Sequence, residues 1–367
     1  MSDNKILYDP RGHKLIDIPE GIKTKSFVVI DLDYICFKVA AVLEEKSVQI
    51  YGITETDGDN YLIGTYKNRT EYKKSEEYIE DYIVKDCQEL KKDYKSSMTF
   101  LLRKFIEDIR KATKSEEVVL AAGGNTNFRD RLPSPQKYKG NRDDVLKPLA
   151  LKECKEYAAN TYITVRGEDE EADDIISMFQ YRSYYDKIYK IVVATPDKDS
   201  LQTQGYLYNP ESSKGMALNS VDLIEGLGKV SLIEKPKKMK LHFKGRIVVY
   251  CQAFLLGDST DNYQPCANYK ALNAIDKQSS LLTEKKVYEL LKDCTTDKEC
   301  LSIIHNIWLD WYKDIKGWKD YSGNWVEGDY IDLMQIYWDL AFMRRFPNDK
   351  VCVRTMLKNL GILNDRS

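Results

Sequence analysis

The chain has 367 residues, a formal net charge of −2, 8 Cys and only 3 His. That length suits one large domain, or a main domain with a smaller attachment. With 43% apolar and 31% charged residues, it reads as globular rather than disordered. No run of about 18 apolar residues occurs, which excludes a membrane-spanning helix. No basic excess announces a nucleic-acid partner, although a site built of many carboxylates would mask one in the sum.

The cysteines form no Cys-x-x-Cys pair and fit neither a zinc site nor a disulfide framework. They read as reduced thiols in a cytoplasmic protein. His13, His242 and His305 sit in no motif, so histidine general-base chemistry is not expected.

In chain order, residues 1–25 are mixed and polar and read as a leader or edge segment without the apolar core of a signal peptide. Phe27-Val28-Val29-Ile30 is a predicted buried strand. Residues 66–114, rich in Lys, Glu and Tyr, read as helical, either a solvated pair or a helical arch covering a site. Val118–Ala121, Tyr162–Val165 and Ile191–Ala194 are further predicted strands, with Ile247–Tyr250 as a fifth. Continuous apolar strands alternating with helices predict an α/β fold with a central, mostly parallel sheet and flanking helices. Residues 203–245 read as loop-rich, with a basic run at Lys235-Pro236-Lys237-Lys238-Met239-Lys240 suited to solvent or to phosphate. From about 280 the chain reads as helical, with Leu333, Ile336, Leu340 and Met343 at core spacing.

Carboxylates follow the predicted strands. Asp31 ends the first, Glu171-Ala172-Asp173-Asp174 follows the third, and Asp197-Lys198-Asp199 follows the fourth. Gly257-Asp258-Ser259-Thr260-Asp261-Asn262 adds another set. Each alone reads as an ordinary turn or an acidic first helical turn. Together they can meet in the crevice beyond the carboxyl ends of the strands. Crowded hard oxygen ligands suit Mg²⁺ or Mn²⁺. Two such ions can clamp a phosphodiester and activate water without a protein nucleophile. A basic stretch, Gln136-Lys137-Tyr138-Lys139-Gly140-Asn141-Arg142 preceded by Arg129 and Arg131, reads either as a charged surface loop or as a phosphate-binding arm, with Tyr138 stacking on a base.

These segments resemble, in order, the motifs of the 5′→3′ exonuclease and flap endonuclease superfamily, and within it the bacteriophage-type, PIN-like 5′ nucleases. The matching stretches are Val29-Ile30-Asp31, Lys137 to Arg142, Glu171 to Asp174, Thr195 to Asp199 with Gln202, and Gly257 to Asn262. The resemblance implies a PIN/resolvase-like nuclease domain over 26–262 and a helical DNA-binding region over 263–367. It implies one metal on Asp31, Glu171 and Asp173, and a second on Asp197, Asp199, Asp258 and Asp261, with Asp174 between them. It also implies scissile-phosphate contacts from Lys139 and Arg142, and substrate contacts from Arg129, Lys137, Tyr138 and Lys38. The implied partner is DNA with a 5′ end, nick or flap, or the RNA of RNA–DNA hybrids, in replication or recombination. Two departures stand out. Ala121-Ala122-Gly123-Gly124-Asn125 lacks the family's further acid, and Tyr263-Gln264-Pro265-Cys266-Ala267-Asn268 lacks the glycines of its K⁺-binding turn.

Two rival readings remain open. Asp31-Leu32-Asp33 matches the acid pair of a haloacid-dehalogenase-type phosphatase, and a non-catalytic nucleic-acid-binding protein on the same fold would explain the missing acid.

Overall fold

The computed structural model describes residues 6–53, 60–142, 145–211, 220–235, 238–265 and 282–364. They divide into two compact units. The larger comprises Met1–Asp31, Ile109–Val145 and Ile163–Ser367, and the smaller Leu32–Asp108 and Leu146–Tyr162.

The larger unit is built on a six-stranded sheet. Its strands are β1 (Ser26–Asp31), β5 (Glu117–Ala122), β6 (Ile163–Arg166), β7 (Lys190–Ala194), β8 (Gly205–Tyr208) and β9 (Asp222–Ile224). They lie in the order β6-β5-β1-β7-β8-β9, all parallel except β9 against β8. Every residue of β1 is buried, as an apolar central strand of a covered sheet must be. From β1 the chain continues to β5 and β6 on one side, then to β7 and β8 on the other. Such a reversal opens a crevice beyond the strand ends, beside β1 and β7. Helix α5 (Ala172–Tyr185) covers the sheet through Ile175, Ile176, Met178 and Phe179. The same unit continues through helices Glu284–Leu291, Asp297–Tyr312, Tyr330–Ala341 and Val353–Asn359. Their core includes Leu333 and Leu340, as their spacing predicts.

Three expectations change. Ile247–Cys251 is helical, not a strand, and continues into a π-helical turn, Gln252–Leu256. The run is buried on every side in the aromatic C-terminal core, so tertiary packing overrides its β-branched preference. The wide turn leaves the Phe254 carbonyl to accept from Trp308 Nε1, at 2.8 Å. Residues 203–245 hold β8, β9 and an antiparallel hairpin, β10 (Lys229–Lys235) with β11 (Lys238–Lys244). Pro236 and Lys237 of the basic run lie outside the described residues.

The third change is at 66–114. The smaller unit contains α1 (Leu32–Val42), α4 (Leu151–Thr161) and a sheet of β2 (Glu44–Ile53), β3 (Asn60–Tyr66) and β4 (Tyr82–Leu90), ordered β3-β2-β4. Only α2 (Arg69–Tyr72) and α3 (Tyr94–Ala112) are helical within the stretch read as a helical arch. Tyr82 and Val84 pack with Val48, Ile50 and Tyr72, whereas Ile83 is exposed. That alternation is the period of a strand, and it outweighs the abundance of Lys and Glu.

The segment read as a leader is packed where it is described. Leu15 is buried with Tyr181 and Phe346, and Asp9 accepts from Tyr181 Oη at 3.0 Å. Leu15→Ala should therefore cost about 2–5 kcal/mol, as a buried core truncation does. Denaturant unfolding followed by circular dichroism measures it, and an unchanged midpoint would mean that this segment does not contribute to the fold.

Candidate metal centre

All the candidate metal ligands belong to the larger unit. Asp31 is the last residue of β1 and is buried. Glu171 is the N-cap of α5, and Asp173 and Asp174 form its first turn, where the helix N-terminus favours negative charge. Glu171 and Asp174 make a reciprocal capping box. Asp197 caps a 3₁₀ turn, Lys198–Gln202, and accepts from the Asp199 N–H at 2.9 Å. Asp258 and Tyr263 close a tight turn by exchanging backbone hydrogen bonds. Gly257 enters that turn at φ 69, and a Cβ there would lie 2.3 Å from the Tyr263 carbonyl oxygen. Glycine is therefore required at the head of this motif.

Two groups of acids emerge. Carboxylate oxygens of Asp199, Asp258 and Asp261 lie within 4.8 Å of one another, and all three residues are buried. Burial, with the charges of Asp197 and Asp258, pushes the Asp199 carboxyl up to about 7. Asp261 is raised by burial and by Asp258. In the second group, burial and then the charges of Asp197 and Asp31 hold Asp173 well above the usual carboxylate range. Glu171 adds to that repulsion. Acids that resist ionisation because they are buried and face one another are suited to a divalent cation, which offsets the burial and removes the repulsion. The donors are all oxygen, which fits Mg²⁺ or Mn²⁺ rather than a thiolate-bound ion.

Asp174 departs from the expected set. It is fully buried and forms a bidentate ion pair with Arg129, at 2.6 and 2.9 Å. It also accepts from the backbone N–H groups of Arg344 and Glu171. Four donors saturate the carboxylate, which leaves no lone pair for a metal. Burial would raise its pKa, but the Arg129 charge and hydrogen bonds hold it below the usual value. Arg129 is itself 0% exposed and also donates to the Leu340 and Phe342 carbonyls. It therefore offers no surface to substrate. Tyr138 is likewise 5% exposed, so it cannot stack on a base. Its hydroxyl donates to Glu171 at 2.7 Å.

The basic arm interlocks with the acidic turn. Lys139, with φ 52, donates its backbone N–H to the Asp261 carbonyl at 2.9 Å. Its Nζ lies 2.5 Å from Glu171 and 3.8 Å from Asp261. Burial pulls the Lys139 pKa down, and Glu171 and Asp261 more than reverse this. Arg142 reaches the Thr260 carbonyl and Asp261, the latter at 2.8 Å. Asn141 and Asn262 add bonds to Ser259 and Lys137 carbonyls. Lys137 is exposed. Lys38 lies on α1 in the smaller unit, exposed, with its ammonium 4.9 Å from the centre of the Phe105 ring.

The backbone after β5 leaves no room for a side chain at Gly124. A Cβ on Gly124 would lie 2.3 Å from the Glu168 carbonyl oxygen, because the Gly167–Glu171 loop crosses there. The Gly124 N–H donates to the Glu170 carbonyl at 2.8 Å. The neighbouring Asn125 is exposed.

Several supporting residues had no assigned role in the sequence. Lys198 Nζ is 2.6 Å from Asp258. Gln252 donates to Asp199, and Gln202 bridges the Ala341 carbonyl and the Met343 N–H. A glutamine inside the apolar run 247–256 was the one available signal for Gln252.

No family model matches the chain, and no curated protein matches it. Among solved structures, a lysine-to-alanine mutant of bacteriophage T5 5′-exonuclease overlays 92% of this chain and 99% of its own, at 10% identity and a TM-score of 0.39. A T5 flap endonuclease in a pseudo-enzyme–product complex with DNA and metal ions overlays 92% and 98%, at 11% identity and a TM-score of 0.40. T5 5′-exonuclease with bound zinc overlays 69% and 93%, at 14% identity and a TM-score of 0.31.

Replacing Arg129 by Met should destabilise the protein by about 3–5 kcal/mol, because Asp174 would be left buried and unpaired. Combining it with Asp174→Asn should recover part of that loss, measured as a double-mutant cycle in urea. Additive losses would show that the pair is not coupled.

Asp173, Asp199 and Asp261 carry raised pKa values in the folded state. The folded protein therefore holds protons that the unfolded chain releases at about pH 4. This contribution is fully present below that pH and is lost as pH rises through the folded values, near 7 for Asp199. In EDTA, melting temperature should fall between pH 5 and pH 8. Added Mn²⁺ should raise it more at pH 8 than at pH 5. Equal melting shifts at both values would contradict metal binding by these acids.

Proposed function

We propose that the protein is a divalent-metal-dependent nuclease that hydrolyses phosphodiesters from or near a 5′ end, as a 5′→3′ exonuclease or flap endonuclease, leaving 5′-phosphates. The observation that carries this reading is the convergence of Asp199, Asp258 and Asp261 with the mutually repelling Asp31, Asp173 and Asp197. These acids come from two strand ends, a helix start and a late turn. The order of the sequence motifs adds to it.

Asp31 and Asp173 would hold one ion, with Glu171 joining them by exchanging its bonds to Tyr138 and Lys139 for the ion, and Asp199, Asp258 and Asp261 would hold the other, with Asp197 adjoining both groups. Such ions, when bound, supply charge neutralisation at the phosphate and activation of the attacking water. The chain's own part is preorganisation. Arg129 fixes α5 through Asp174, and Gln252 and Lys198 orient Asp199 and Asp258. Lys139 and Arg142, already beside Glu171 and Asp261, are the cations we assign to the scissile phosphate. Lys137 would extend that contact along the strand. A role for K⁺ rests on residues 263–268, of which 266–268 lie outside the described residues. The phosphatase reading gives Asp199, Asp258 and Asp261, and the repelling Asp173 and Asp197, no role.

The test is cleavage of 5′-flap, nicked and blunt duplex DNA and of an RNA–DNA hybrid, each labelled at either end, in Mg²⁺, Mn²⁺ or EDTA. Asp173→Asn and Asp199→Asn should each slow cleavage at least about a hundredfold, equivalent to ~2.7 kcal/mol. Substrate binding by fluorescence anisotropy should be largely retained. Binding without cleavage of any substrate by the unaltered protein would favour a non-catalytic nucleic-acid-binding role.

A further inference from the structure

Beside the basic arm lies a short hairpin that the metal chemistry does not use. Its strands, β12 (Gly317–Lys319) and β13 (Trp325–Glu327), pair Gly317 with Glu327, Trp318 with Val326 and Lys319 with Trp325. Residues directly opposite on an antiparallel pair share a face. One face carries Trp318, which is buried and donates its Nε1–H to the Pro133 carbonyl at 2.7 Å. The opposite face carries Gly317, Lys319, Trp325 and Glu327. The tip is fastened as well, since the Tyr321 N–H donates to the Ser134 carbonyl at 2.9 Å. Pro133 and Ser134 stand three to four positions before Lys137, so the hairpin is anchored to the base of the basic arm.

The tip is rigid. Asp320 accepts from the backbone N–H groups of Ser322 and Asn324, at 2.9 and 2.8 Å, and from the Asn324 side chain. That carboxylate is thereby committed to the turn; Lys319 lies directly opposite Trp325, and Glu327 shares the face two residues along the strand. Trp325 is 59% exposed and Tyr321 44%. A Cβ on Gly317 would lie 2.7 and 2.9 Å from Trp325 Cζ2 and Cε2. The six-membered part of the indole therefore rests against glycine backbone, and its remaining surface is open to solvent. An indole supported from behind, flanked by a lysine and continuous with a basic arm, suits an unstacked base and its phosphate.

We propose that this hairpin is a stacking platform for an unpaired nucleic-acid strand, with Trp325 taking a base, Lys319 the adjoining phosphate and Tyr321 a neighbouring nucleotide. This rests on the nuclease reading above, and it assigns the path of the strand outside the carboxylate crevice. Stacking does not read the sugar, so DNA and RNA share the chemistry.

The experiment compares the unaltered protein with Trp325→Ala, Trp325→Phe and Lys319→Ala on single-stranded-flap DNA and its RNA-flap counterpart. Trp325→Ala should weaken binding and raise KM about tenfold, with kcat changed less than about twofold. Trp325→Phe should recover most of that loss. Abasic sites in the unpaired strand should abolish the difference between the unaltered protein and Trp325→Ala. Circular dichroism and melting temperature should match throughout, because the exposed ring is not part of the core. If the unaltered protein cleaves but Trp325→Ala leaves KM and binding unchanged, the platform is wrong and the nuclease reading stands. If the unaltered protein neither binds nor cleaves either flap, the nuclease reading itself fails. A Trp325→Ala penalty that persists on abasic strands would overturn stacking as its cause.

Discussion

A buried guanidinium holds this molecule's chemistry in place. Arg129 spends its donors on Asp174, on Glu171 and on the carbonyls of Leu340 and Phe342. Through Asp174 it fixes the first turn of α5, and with it Glu171 and Asp173. Through the carbonyls it fixes the segment that follows the helix Tyr330–Ala341, whose Met343 N–H in turn meets Gln202, next to the Asp197–Asp199 turn. Two groups of acids that would otherwise repel are thus referred to one rigid cation. Such a pair is a poor source of net stability, because desolvation consumes most of the attraction. Its value lies in position.

The interlock between residues 137–142 and 257–262 follows the same logic. Neither loop has a regular ladder to define it, so side-chain amides and charges take backbone carbonyls of the other loop. Lys139 adopts a left-handed backbone, uncommon outside glycine and asparagine, and its N–H thereby meets Asp261. A local cost of that kind persists only where surrounding contacts over-determine it. Here those contacts also orient the cations of the arm towards the acids.

Much of this was legible in the sequence, for identifiable reasons. β1, β5 and β7 are apolar runs, and Asp31 and the Asp197–Asp199 turn follow two of them while Asp173 opens α5, so these positions could be read directly; β8 and β9, short and mixed, could not. Gly257 belonged to a motif whose turn demands it. What could not be read depended on burial. Arg129 and Tyr138 look like surface residues in a basic stretch, and nothing local reveals that one is wholly enclosed and the other nearly so. Asp174 looks equivalent to Asp173, and only the pairing with Arg129 separates them. Ile247–Tyr250 carries strand-forming residues and becomes helix because aromatic packing surrounds it. In 66–114 the alternation exists only in burial, since Tyr82, Ile83 and Val84 are all apolar and show no period of two in the sequence.

The dependence on residues 340–344 has a consequence for biosynthesis. Asp31, the acids of α5 and those of the following turn all precede that segment in the chain. Their common clamp is completed only when Leu340, Phe342 and Arg344 arrive to engage Arg129 and Asp174. A chain growing from its N-terminus therefore carries every metal-ligand candidate for some time before it can hold them in register. Until those residues join the fold, the first turn of α5 lacks the partners that fix it.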